Sequence, residues 1–157
     1  MGIKAAMIGI GAFAQSFIPL FNVHPLVDEL ILWELDADKL RNNVEKHNVP
    51  ATASSLDEVC GRRDIDAAII ITQNWLHAPQ AIQALKSGKH VYSAVPTGIT
   101  LDEISELVRT VEDTGRIYMI GETSYYYPGV IYCRNQYNQG AFGHVVYGEA
   151  EYYHDWD

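Results

Sequence analysis

The chain has 157 residues, 48% hydrophobic and 20% charged, a composition that supports one globular domain with a real core. Its 20 acidic and 11 basic residues leave a net charge of −9, which argues against nucleic acid as the main partner, since phosphate binding needs a basic face. Cys60 and Cys133 lack metal-ligand spacing and read as idle thiols of a reducing compartment, so no metal is expected. No apolar run is long enough to span a membrane. The N-terminal stretch is broken by Gly9 and Gly11, unlike a signal peptide. A cytoplasmic protein with no membrane partner is expected.

The first element is the apolar run Ile3 to Ile8, which ends in Gly9-Ile10-Gly11-Ala12-Phe13-Ala14. Strand, tight turn and helix follow one another, with Gly9, Gly11 and Ala14 in the G-x-G-x-x-G/A spacing of a dinucleotide site. Gly9 permits the turn, Gly11 lets the backbone approach a pyrophosphate, and Ala14 lets helix and strand pack closely. The phosphates would rest on the free N–H groups of Ala12, Phe13 and their neighbours at the helix start. Taken alone, the pattern also fits a glycine turn in any α/β protein. The helix is expected from Phe13 to about Phe21. Pro19 falls inside it and predicts a kink or an early end.

Leu30-Ile31-Leu32-Trp33-Glu34 is a nearly continuous apolar run, suited to a strand covered on both faces. Glu34 follows Ala14 by 20 residues and ends this second strand. That is where the dinucleotide pattern places an acid to accept the adenosine ribose hydroxyls, with Leu35 beside it. The same charge would repel a 2′-phosphate, and no Arg follows, so NAD is favoured over NADP. The plainer reading of Glu34 is a solvated strand end. Asp36 caps a helix to about His47.

Ala51 to Ala53 is read as a short third strand, and Ser55-Leu56-Asp57-Glu58 as a capping box that opens a helix. Ala67 to Ile71 is a buried strand that runs into Thr72-Gln73-Asn74-Trp75-Leu76-His77. Ligands gather at the carboxyl ends of strands in doubly wound sheets, so Thr72, Gln73, Asn74 and His77 fall where a cofactor would lie. A positioning role suits His77 best. A helix from Ala78 to Lys86 has Pro79 in its first turn and Gly88 as its stop. His90 to Ser93 is the fifth strand, followed by Ala94-Val95-Pro96. Thr100 to Glu103 opens a helix that runs to Gly115, and Ile117 to Ile120 is the sixth strand.

Strands alternating with helices at these spacings predict a doubly wound parallel α/β sheet, order 3-2-1-4-5-6, over residues 1–121. Residues 122–157 read as the start of a second α+β domain: a helix from Pro128 to Gln139, a turn at Gly140 to Gly143, and a long strand from His144 to Tyr153. A strand this apolar needs a partner sheet. It predicts either a longer protein or pairing between copies, with homo-oligomerisation through this strand.

Several of these stretches coincide with one family. The chain resembles the N-terminal part of the Gfo/Idh/MocA oxidoreductases in Gly9 to Ala14, Glu34, Thr72 to His77, Ala81 to Val91 and Gly140 to Gly143. The resemblance covers essentially the whole chain, and Asn74 to Val91 is its most specific part. It implies a Rossmann domain with NAD as cofactor, a small-molecule substrate, and hydride transfer on a sugar, polyol or related hydroxy compound. It also implies that Ala94 and Val95 lie beside the nicotinamide. Family members usually carry Glu-Lys-Pro where this chain has Ala94-Val95-Pro96, and the Lys assists proton transfer. Val95 moves no proton. The Asn-Arg-Arg-type run after the sixth strand is replaced by Thr123-Ser124-Tyr125, and His154 and Asp155 come too early to be the family's Asp and His pair. No catalytic residue is assigned. Tyr125 and Tyr126 are candidates, with aromatic packing as the more ordinary reading. The alternative function is a non-catalytic or regulatory module that keeps the NAD site without turnover.

Overall fold

The computed structural model describes residues 2–151 and 153. Two compact units divide after Gly121. The first unit contains five strands: β1 (Ile3–Ile8), β2 (Val27–Trp33), β3 (Ala67–Ile70), β4 (His90–Ser93) and β5 (Tyr118–Ile120). They form one parallel sheet in the order β2-β1-β3-β4-β5. Its helices are α1 (Ile18–Asn22), α2 (Ala37–His47), α3 (Leu56–Gly61), α4 (His77–Lys86) and α5 (Leu101–Thr114).

The apolar runs are buried on both faces, as parallel strands between helical layers should be. Along β1, Ala5 and Met7 join one core with Leu30, Leu32, Ile69 and the α1 residue Ile18. Ala6 and Ile8 point the other way and join Ile31, Ile70, Leu85 and Leu107. Met7 and Ile8 are fully buried. Truncating either to Ala costs about 2–5 kcal/mol through lost transfer energy and the cavity left behind.

The expected third strand is corrected. Ala51 to Ala53 forms only an isolated bridge, Thr52 to Leu32, with Leu32 N–H on the Ala51 carbonyl and Ala53 N–H on the Leu32 carbonyl, both at 3.0 Å. Pro50 removes a donor on one side and the α3 cap begins on the other, so no room remains for a ladder. The bridge still lies outside β2, where the order 3-2-1-4-5-6 puts it.

The helix expected from Phe13 is split. A 3-10 turn covers Phe13–Ser16, and α1 then starts with Pro19 in its first turn. Proline is tolerated there because the first amides of a helix have no intrahelical partner. The Ser55 box is also modified. Ser55 Oγ accepts the Glu58 N–H at 3.0 Å, but the Glu58 carboxylate reaches back to the N–H and hydroxyl of Ser54. Those bonds hold the Glu58 carboxyl below its usual range. At α5 the box is complete: Thr100 Oγ1 accepts the Glu103 N–H at 3.2 Å and Glu103 accepts the Thr100 N–H at 3.0 Å.

The second unit holds a 3-10 turn at Thr123–Tyr126 and α6 (Pro128–Asn138). Arg134 stacks its guanidinium 3.9 Å from the Tyr125 ring centre and donates to the Tyr125 carbonyl at 3.1 Å. The long strand expected from His144 is a second correction. Residues 144–151 are not in a strand, and no described residue of this unit offers them a ladder. Tyr and Val favour a pleated surface only where another strand completes it. Tyr152, His154 and Asp155 fall outside the described residues. No described helix is long and apolar enough to cross a membrane.

Candidate functional site

Because every strand is parallel, the loops after β1, β2, β3 and β4 open along one edge of the sheet. β1 and β3 are neighbours, yet the chain visits β2 between them. The glycine turn after β1 therefore sits where the strand order reverses, the crevice in which such sheets bind ligands.

The three small residues of the turn are small for different reasons. Gly9 has φ +81°, and a Cβ there would stand 2.6 Å from the Ile71 carbonyl oxygen. Its N–H donates to the Trp33 carbonyl at 3.1 Å, so the turn begins where the sheet ladder ends. Ala14 is fully buried against the core of Ile10 and Ile18. Gly11 borders open space, since a Cβ there would meet nothing within 4 Å. Ala12 and Phe13 are exposed, with the Phe13 ring 5.0 Å from that of Phe17. Among the described residues the amides of Gly11, Ala12 and Phe13 donate no hydrogen bond. A run of unpaired backbone donors beside open space is suited to an anion.

Glu34 is half-buried at the end of β2 and turns back to this loop. Its Oε2 accepts the Ile10 N–H at 3.0 Å, and its Oε1 accepts the Leu35 N–H at 3.0 Å. Oε1 also accepts the Asp36 N–H at 3.4 Å, so the acceptor direction left for a hydroxyl is on Oε2. Leu35 is exposed beside it. Asp36 caps α2 by accepting the Lys39 and Asp38 N–H groups, and the Lys39 amide chiefly holds its carboxyl below the usual range.

On the far side, the Thr72 hydroxyl donates to Gln80 Oε1 at 2.7 Å. Gln73 and Asn74 are exposed at the start of a 3-10 turn. His77 is only 1% exposed. Its Nδ1 lies 2.8 Å from the Pro96 carbonyl and its Nε2 lies 3.0 Å from the Thr72 carbonyl. The ring thus ties the loop after β3 to the loop after β4 and presents no face to the crevice. Ala94 is buried, its N–H on the Ile70 carbonyl at 2.9 Å, while Val95 is exposed and joined to Pro96 by a cis peptide.

The structure adds residues that the motif does not name. A cleft of about 450 Å³ lies between Ile10–Ala12 and α2, which contributes Lys39, Asn43 and Lys46. Gln15 stands between the two walls. The available signal was the spacing 39, 42, 43, 46, which puts polar side chains on one face of α2. His47 ends that face, and burial, aided by the Lys46 charge, pushes its imidazole below the usual value. Among the described residues no cluster of His, Cys, Asp and Glu is arranged to hold a metal.

Residues 3–122 match the family described as "Oxidoreductase family, NAD-binding Rossmann fold". A glycosyl hydrolase family 109 protein from Saccharopolyspora erythraea is 31% identical over 162 residues, covering 98% of this chain and 35% of the relative. The chain thus spans about a third of the length of that curated relative. In fold, an oxidoreductase domain protein from Kribbella flavida superposes with TM-score 0.84 at 22% identity, over 91% of this chain and 41% of that one. Myo-inositol 2-dehydrogenase from Lactobacillus plantarum gives 0.82 at 23%, over 91% and 43%. The chain belongs to the Gfo/Idh/MocA oxidoreductase family, with residues 3–122 forming its NAD-binding Rossmann domain.

Proposed function

We propose that this domain binds NAD for an oxidoreductase acting on a sugar, polyol or related hydroxy compound. The observation that carries the reading is the pairing of an open Gly11 with a Glu34 carboxylate anchored to the same turn. The amides of Gly11, Ala12 and Phe13 hold the pyrophosphate. Glu34 accepts the adenosine ribose hydroxyls, and its charge disfavours a 2′-phosphate, so NAD is preferred to NADP. Leu35 borders the adenosine, the backbone of Thr72, Gln73 and Asn74 lines the crevice, and Ala94 and Val95 flank the nicotinamide. The bound cofactor supplies the hydride acceptor or donor. The sugar class is supported by the glycosyl hydrolase name of relatives such as the one from S. erythraea.

Val95 favours a second reading. It has no proton to exchange, so acid-base chemistry on an alcohol needs a group from elsewhere. A module that binds NAD without turnover satisfies the same geometry. Single-turnover absorbance at the nicotinamide band, with a panel of sugars and polyols, separates the two. Reduction of NAD by any of them supports the enzyme, and NAD binding without reduction supports the silent module. Failure to bind NADH at all contradicts both.

A further inference from the structure

We propose that Gln15 is a positioning residue for the dinucleotide, clamping the glycine turn in its binding shape from the side of α2. The proposal rests on the reading of that turn as a nucleotide site. Ile10, between the two glycines, is buried. Its N–H is taken by Glu34 at 3.0 Å, and its carbonyl accepts from Gln15 Nε2 at 3.2 Å. The Ile10 carbonyl shares a rigid peptide plane with the Gly11 N–H, and the two point in opposite directions. Holding the carbonyl toward Gln15 therefore aims the Gly11 N–H away from it. Both peptide planes that flank Ile10 are fixed, one by each side chain.

The orientation of the Gln15 amide follows from its neighbours. Asn43 Nδ2 donates to the Lys39 carbonyl at 2.8 Å inside α2, which leaves Asn43 Oδ1 facing Gln15 at 2.7 Å. The Gln15 atom meeting both Asn43 Oδ1 and the Ile10 carbonyl must be the donor. Its Oε1 then takes Lys46 Nζ at 2.9 Å and His47 Nε2 at 3.3 Å. Two donors and two acceptor directions are all used. A side chain merely filling the cleft would have no need of this network, and no other described side chain donates to the Ile10 carbonyl.

The test compares ligands with and without a pyrophosphate. ADP-ribose, NADH and adenosine are titrated into the wild-type protein and into Gln15→Ala, with folding checked by circular dichroism. Gln15→Ala is expected to weaken ADP-ribose and NADH about tenfold while adenosine is unchanged, as for loss of one well-placed hydrogen bond. Asn43→Ala, which frees the Gln15 amide without touching the turn, is expected to shift ADP-ribose in the same direction and serves if Gln15→Ala does not fold. Wild-type binding with ADP-ribose unaffected by either variant overturns the role of Gln15 alone. Equal loss of adenosine and ADP-ribose overturns it too, because that marks a general packing defect. A wild-type protein that binds neither ligand overturns the nucleotide reading and the proposal with it.

Discussion

Glu34 and Ile10 join the ends of β1 and β2: the carboxylate at the tip of one strand accepts the N–H of the residue between the two turn glycines, at 3.0 Å. The same side chain also accepts the N–H of Leu35 at 3.0 Å. One group thus shapes the turn and is the group proposed to accept the adenosine ribose hydroxyls. Glu34→Gln removes the charge and one acceptor. The affinity ratio of NADH to NADPH should fall by about tenfold, the worth of a charge-assisted hydrogen bond plus relief of repulsion. Fluorescence titration of both cofactors measures it, and an unchanged ratio would show that Glu34 does not discriminate at the 2′ position.

The two turn glycines should separate in stability measurements. Gly9→Ala forces a side chain into a left-handed conformation at φ +81°, against a carbonyl 2.6 Å away. It should cost about 1–3 kcal/mol or more. Gly11→Ala meets nothing within 4 Å and should leave Tm nearly unchanged. Thermal unfolding of the two variants checks this, and equal losses would contradict the division of labour between them.

His77 predicts a packing cost with a functional shadow. Replacing it with Ala leaves the Thr72 and Pro96 carbonyls without the ring that both now face. The lost ring–carbonyl hydrogen bond leaves a part-buried acceptor unpaired, at about 1–3 kcal/mol. Urea unfolding should show a lower midpoint with an unchanged slope, since the exposed surface on unfolding is the same. A variant with wild-type stability would mean that the loops after β3 and β4 hold each other without the ring.

His47 gives a pH dependence of defined sign. Burial, then the Lys46 charge, lowers its value in the folded protein. The unfolded chain keeps the ordinary value near 6.5 and takes up its proton first as the solution is acidified. This contribution to stability is complete above about pH 6.5 and is lost as pH falls from there through the lower folded value. His47→Gln should flatten the decline of Tm between pH 7 and 5 relative to wild type. Parallel profiles would show that the imidazole is not perturbed.

Much of the first unit is legible in the residues themselves. The glycine spacing, the acid 20 residues beyond Ala14 and the alternating apolar runs rest on local pattern, and they locate four strand ends along one edge. The Gln15 network is not legible, because its partners Asn43, Lys46 and His47 lie about 30 residues away and meet it only after α2 packs beside the turn. A positioning role for His77 is legible, but not what it positions, because both of its partners are backbone carbonyls, which carry no sequence signal. Residues 144–151 of the strand read at His144 to Tyr153 are not in one, because β-propensity names a surface that fits a sheet and says nothing about whether a neighbouring strand is there.

Calorimetric titration of NADH into the wild-type protein and Gly11→Val, with the folding of both checked by thermal unfolding, bears most directly on the site. Saturable binding of NADH to wild type, at one site per chain and lost in Gly11→Val, is the expected result. Absence of binding to wild type, or equal binding to both, would contradict the assignment of this turn as the cofactor site.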